Sequence, residues 1–263
     1  MNMHAEIETE TPLLRVEKLS KHFGFLKAVN EVSFEVYPGE VLGVVGESGS
    51  GKTTLLQCLA GRISPTSGEV LFNDADDGEV NIHALTEPDR RRLRREAWGY
   101  VHQNPRDGLR RYTSAGGNIV EPLLNMGHRV YEDMRGKALD WMAQVELDTA
   151  RIDDDPKRFS GGMQQRVQIA RSLIHEPKIV YMDEPTGGLD VSVQARLLDT
   201  LRELVRTHSL SVVIVTHDLG VARLLADRLM VMRHGKVVEA GITDQVLDDP
   251  QDAYTQLLVS SVL

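Results

Sequence analysis

Along the chain, short unbroken apolar runs alternate with stretches whose apolar residues recur at helical spacing. VLGVV (41–45), IVYMD (179–183) and VVIVT (212–216) are continuous runs of the kind found in strands covered on both faces. LLRVEKL (13–19) and EVSFEV (31–36) alternate instead, which predicts an antiparallel sheet at one edge. LMVM (229–232) and KVVEAG (236–241) predict a late hairpin turning at His234 and Gly235. From 104 to 174 helix formers dominate and strand patterns are scarce, so this stretch reads as a helical insertion. The class is α/β, with a mainly parallel core sheet, an antiparallel β subdomain and that insertion. One domain is expected over 13–247, between a flexible N-terminal tail (1–12) and a C-terminal tail segment (248–263).

Composition narrows the functions open to such a fold. A net charge of −9 over 263 residues argues against non-specific nucleic-acid binding, which needs a broad cationic surface. The single cysteine, Cys58, can form neither an internal disulfide nor a thiolate cluster, and its apolar helical run LLQCLAG marks it as buried filler. No run approaches the roughly 18 apolar residues that cross a bilayer, and the acidic start MNMHAEIETETP lacks the apolar stretch of a secretory leader. The expectation is a cytoplasmic protein with no membrane insertion of its own.

Gly46 to Thr53 reads GESGSGKT, directly after the strand VLGVV and directly before the helical TLLQCLA. This is G-x-x-x-x-G-K-[ST] in its strand–loop–helix setting. The glycines let backbone N–H groups of Ser48, Gly49, Ser50, Gly51, Lys52 and Thr53 converge on phosphate oxygens at a helix N-terminus. Lys52 supplies a point charge to the outer phosphates, and the Thr53 hydroxyl is a Mg²⁺ ligand. Asp183 ends a buried apolar strand, where a carboxylate is costly unless it faces a cation, and Mg²⁺ is the natural one. Glu184, next in the chain, is placed to polarise an attacking water. His217 ends VVIVT, at the edge where open α/β sheets bind their ligands. In FSGGMQQRVQIARSL (159–173), Ser160 reads as the N-cap of a helix able to hold a second anion. A second phosphate cradle is puzzling in a single chain.

In this order, GESGSGKTT, VHQ, FSGGMQQ, YMDEP, GGLD and THD resemble the ATP-binding-cassette (ABC) ATPases, over about 13–247. The resemblance implies a P-loop NTPase of ABC type that uses ATP and Mg²⁺ and acts as a head-to-tail pair of cassettes. Gly46, Glu47 and the loop through Thr54 would hold the nucleotide of their own chain. Ser160, Gly161, Gly162 and Gln164 would close in trans on the nucleotide of a second cassette, which answers the puzzle. By the same resemblance Phe23 stacks on adenine, Gln103 joins Mg²⁺ and water to the insertion, and Asp190 orders the dimer seam. Phe159 begins the signature where leucine is commonest, and GGLD replaces the usual Ala-Leu-Asp pattern; no catalytic residue is missing.

VHQNP, NIVEPL and DDPQDAYTQLL resemble the oligopeptide and dipeptide importer branch. Taken over nearly its full length, the chain looks most like the nucleotide-binding subunits of bacterial carbon–phosphorus lyase complexes. That implies an ATPase serving phosphonate breakdown on soluble core subunits; the alternative is the energiser of an importer for oligopeptides or phosphonates. NPRDGLRRYTSAGGN (104–118) sets three arginines among glycines in an acidic chain. A solvated loop, an anion grip and a nucleic-acid contact all remain open, and docking of the core around Arg106–Asn118 is preferred because arginine is enriched at interfaces. DRRRLRRE (89–96), with arginines all round, reads as a solvated helix.

Overall fold

A computed structural model describes residues 11–74 and 78–261. The expected N-terminal tail, 1–12, lies almost wholly outside the described residues. The chain opens with β1 (Leu14–Phe23), β2 (Leu26–Val36) and β3 (Val41–Val45), then α1 (Lys52–Leu59), β4 (Ser67–Asp74) and β5 (Gly78–Asn81). Next come α2 (Glu87–Glu96), β6 (Trp98–Val101), α3 (Pro105–Gly108), α4 (Ala115–Asn125), α5 (Tyr131–Gln144) and α6 (Gly161–Leu173). The last third holds β7 (Ile179–Asp183), α7 (Val191–His208), β8 (Ser211–Thr216), α8 (Leu219–Leu225), β9 (Arg228–Arg233) and β10 (Lys236–Ile242). Two short helices, α9 (Thr243–Asp248) and α10 (Ala253–Ser260), follow.

The larger sheet runs β10-β9-β3-β8-β7-β6. Its pairs are parallel except the final hairpin, which turns at His234 and Gly235 as the sequence predicts. β3, β7 and β8 are buried at every residue, so their unbroken apolar runs are the direct cost of burial on both faces. The early alternating segments lie in a separate four-stranded antiparallel sheet, β2-β1-β4-β5, the antiparallel subdomain that the pattern predicts. Helix α1 is packed between the two sheets, with Leu55, Leu56, Cys58 and Leu59 fully buried. Burial pushes the Cys58 thiol up to about 11, so it is inert filler as expected.

Among the described residues, 104–174 carries helices and no strand, as the pattern predicts. β4, β5 and β6 have no counterpart in the sequence reading. Segment 248–263, expected as a tail, carries α10, whose Tyr254 is 4% exposed and shares an apolar cluster with Val45 and Val231. None of the helices is long and apolar enough to cross a membrane, among the described residues.

Candidate functional site

The sheet order alone assembles the site. β3, β8, β7 and β6 are parallel neighbours, so the residues just past their carboxyl ends lie side by side. These are the loop 46–51, His217, Glu184 and Gln103.

Local chemistry shapes the loop. Gly51, at φ +105°, sits where a Cβ would come within 2.0 Å of the Ala28 carbonyl oxygen on β2, so only glycine fits. The Gly235 N–H donates to the Ser50 carbonyl (2.9 Å), and the Gly235 carbonyl accepts from Asn30 (2.8 Å), so the late hairpin braces the loop from behind. Lys52 is 5% exposed, and its Nζ donates to the carbonyls of Gly46 (2.7 Å) and Glu47 (2.9 Å). Burial lowers the Lys52 ammonium, against the opposing charges of Glu184 and Asp183.

The Ser50 hydroxyl is buried without a hydrogen-bond partner, close against Gly46. One feature of this cradle fits the cation of a bound polyphosphate. The Thr53 hydroxyl donates to Asp183 Oδ1 at 3.0 Å, which puts a hydroxyl and a carboxylate in one place, a hard-oxygen pair suited to Mg²⁺. Burial, with Glu184 adding to it, raises the Asp183 carboxyl, while Thr53, Lys52 and Arg62 oppose. No cluster of three or more His, Cys, Asp or Glu that could cage a metal exists among the described residues, so the pair would share its cation with phosphate oxygens.

Glu184 is where three expected catalytic residues meet. Its Oε2 lies 3.1 Å from His217 Nδ1 and accepts from Gln103 Nε2 at 3.2 Å. The residue adopts a left-handed conformation, φ +42°, fixed by its N–H to the Val215 carbonyl (2.9 Å) and its carbonyl to the Gly187 N–H (2.9 Å). A non-glycine residue held there costs about 1–3 kcal/mol, a strain typical of functional turns.

The other expected residues are spread out. Phe23 is half exposed at the end of β1 in the antiparallel sheet, with Lys21 Nζ 5.1 Å from its ring centre. Ser160 caps α6 by accepting from the Met163 N–H (3.3 Å); it and Gly161 face solvent while Gly162 is buried. Among the described residues, no hydrogen bond joins this signature segment to residues 46–54. Gln164 differs from expectation: it is 9% exposed and its amide donates to the carbonyls of Pro156 and Phe159 (3.0 Å each). Here it holds the signature loop's shape. Asp190 is exposed and caps α7, accepting from Ser192 and the Val193 N–H.

The arginine loop is more ordered than its glycines suggest. Asn118, fully buried, accepts from the Arg110 N–H and donates to the carbonyls of Arg110, Thr113 and Ser114. Gly116 and Gly117 lie inside α4, and a Cβ on Gly116 would strike Ile152 at 2.4 Å, so that glycine serves packing. Arg110 is paired with Glu121, which also takes Arg171; Arg106 and Arg111 have no ion-pair partner among the described residues. In α2 the arginines are less free than expected, since Glu87 gathers Arg90, Arg91 and Arg94.

A network behind Gln103 has no signal in the hydrophobic pattern. Gln168 on α6 accepts from the His102 N–H (2.9 Å) and donates to its carbonyl (2.9 Å). Arg62 stacks on Tyr100 and lies 3.2 Å from His102 Nε2, so that nitrogen is the acceptor and the ring is neutral. Burial first, then the Arg62 charge, pushes the His102 ring down to about 4 from its usual 6.5. Between those values the unfolded chain binds the proton and the folded one does not, so stability is full above 6.5 and falls as pH drops toward 4. His102→Gln is expected to decline less steeply over that window when melting is followed against pH; identical slopes would show that His102 takes no part.

Residues 29–187 match the ABC transporter family. The chain is 61% identical to the phosphonates utilization ATP-binding protein PhnK of Escherichia coli strain K12, over 96% of this chain and 98% of that protein. It is 39% identical to the dipeptide transport ATP-binding protein DppF of the same organism, over 97% of this chain and 78% of that protein. Among solved structures it resembles the ATP-binding cassette MJ0796, described as a dimer in a post-hydrolysis state bound to ADP and Pi. That likeness has a TM-score of 0.78 at 30% identity, covering 88% of this chain and 98% of that one. Similar too is cbiO1 of Clostridium perfringens, part of the ABC transporter complex cbiONQ (TM-score 0.79, 27% identity, 91% and 92% covered).

Proposed function

This chain belongs to the ABC transporter family as one of its ATP-binding cassettes, and from that membership and the site's geometry we propose that it hydrolyses ATP to drive a phosphonate-utilization complex. The convergence of Gln103 and His217 on Glu184 Oε2 carries the hydrolytic part. Backbone N–H groups from Ser48 to Thr53, with the Lys52 ammonium, bind the phosphates. Gly46 and Glu47 shape the loop, and Thr54 lies within its first helical turn. Thr53, Asp183 and Gln103 hold Mg²⁺, which when bound neutralises charge that builds on the phosphates. Glu184 accepts the proton of an attacking water, and His217 and Gln103 fix the orientation of its carboxylate. Exposed Phe23 offers its ring to adenine.

The exposed Ser160 and Gly161 close on the nucleotide of a second copy of this chain, with Asp190 at the seam. The dimeric state described for the cassette MJ0796 supports that arrangement.

The 61% identity to a phosphonates utilization protein, over nearly both full lengths, carries the biological part of the reading. In it the chain works in the cytoplasm on soluble carbon–phosphorus lyase subunits. Docking falls on the face behind Gln103. There Arg106 and Arg111 stand without acidic partners and line, with Lys157, a cavity of about 310 Å³, and Tyr112 is 89% exposed. In an acidic protein, this basic face suits an acidic partner surface. Replacing Arg106 and Arg111 together by Ala is expected to weaken assembly at least about tenfold while ATP affinity stays within about twofold. A collapse of ATP affinity would move these arginines into the nucleotide site.

Likeness to DppF supports a second reading, the ATPase of a peptide importer. Growth separates the two. Cells whose only copy carries Glu184→Gln are expected to grow on inorganic phosphate and fail on methylphosphonate as sole phosphorus source. Normal growth on the phosphonate would overturn the first reading.

A further inference from the structure

The last helix, α10, reaches the phosphate loop. Tyr254 is 4% exposed, and its phenol oxygen accepts from the Glu47 N–H at 3.0 Å, a contact across most of the chain's length. The ring packs in one cluster with Val45, the last residue of β3, and with Leu219 and Val231, while the Arg233 guanidinium lies 4.7 Å from its centre. Its approach is fixed from the hairpin side. Glu239 on β10 accepts from the N–H groups of Gln251 (2.8 Å) and Asp252 (3.0 Å), and Asp252 in turn caps α10 by accepting from the Tyr254 N–H (2.8 Å). These bonds hold the backbone on both sides of the entry to α10, so the buried phenol has little room to swing.

Glu47 is thereby held on both of its backbone groups, the N–H by Tyr254 and the carbonyl by Lys52 Nζ and the Ser50 N–H. Its N–H is spent on the phenol, and the donors left for phosphate begin at Ser48. We propose that Tyr254 is a positioning residue for ATP binding: it anchors the start of the phosphate loop so that the donors from Ser48 to Thr53 face one centre before nucleotide arrives. Without that anchor the loop samples more conformations, and binding must order it. The role links the C-terminal segment, and whatever holds it, to nucleotide affinity. It depends on ATP binding at residues 46–54 and is independent of what the hydrolysis drives.

Tyr254→Phe keeps the ring and its packing and removes only the acceptor. The Kd and KM for ATP are expected to rise about 3- to 10-fold, the usual worth of one hydrogen bond, with kcat changing much less and with melting in the absence of nucleotide lowered by no more than about 2–4 °C. Glu239→Gln, which touches no residue of the loop, is expected to shift ATP affinity in the same direction by loosening the entry to α10. Unchanged Kd and KM in Tyr254→Phe would overturn the proposal. So would an affinity loss accompanied by an equal fall in kcat and a melting temperature lowered well beyond that range, because that pattern marks a structural residue only.

Discussion

Glu184→Gln is expected to lower ATP turnover by about 10²–10⁴-fold while ATP still binds. The substitution is nearly isosteric, and it changes one thing that matters: an amide cannot take up a proton from water. Oε2 is the atom on which Gln103 and His217 converge, so the geometry around the lost base survives. The backbone strain at φ +42° is shared by both side chains, and the two main-chain hydrogen bonds that hold it do not involve the carboxylate. The variant should therefore fold and bind nucleotide normally. With hydrolysis stopped, ATP should hold the cassettes closed, visible as a dimer in size-exclusion chromatography with ATP. Hydrolysis at the parent rate would remove Glu184 from the mechanism.

Lys52→Ala is expected to weaken ATP binding by roughly 10- to 100-fold, because charge-assisted bonds to phosphate are the strongest a side chain offers this ligand. Its thermal stability should change much less. The ammonium is buried, and burial lowers its pKa, so removing it also removes a desolvated charge; against that, the carbonyls of Gly46 and Glu47 lose a donor. A large affinity loss with a nearly constant melting temperature in the absence of nucleotide distinguishes a phosphate-binding lysine from a structural one. Retained affinity would contradict the assignment of residues 46–53 as the phosphate cradle.

Much of this site could be read from the chain because its pieces are local. GESGSGKT folds as a strand–loop–helix turn whose phosphate donors are its own backbone, so the string and the geometry are nearly the same statement. β3, β7 and β8 declare themselves because burial on both faces leaves their interiors apolar, with polar residues only at the ends of β7 and β8. What stayed hidden depends on long-range partners. β6 has only four residues, and its pairing with β7 is set by the fold. Gln168 fastening His102, and Tyr254 holding Glu47, join residues 66 and 207 positions apart, with no periodicity to reveal them. Residues 104–118 misled in a physical way. Their glycines suggested an adaptable loop, yet two of them sit within a packed helix and buried Asn118 ties the rest down. Arg110, inside the expected docking stretch, is paired with Glu121 while its side chain stays largely exposed.

The most direct test of the account is the identity of what the intact protein carries with it. Tagged at the C-terminus, expressed in its own cells on methylphosphonate and purified from the soluble fraction with ATP, it is expected to bring down the soluble subunits of a carbon–phosphorus lyase. Recovery only from the membrane fraction, together with a permease, would contradict the account and make the chain the ATPase of an importer.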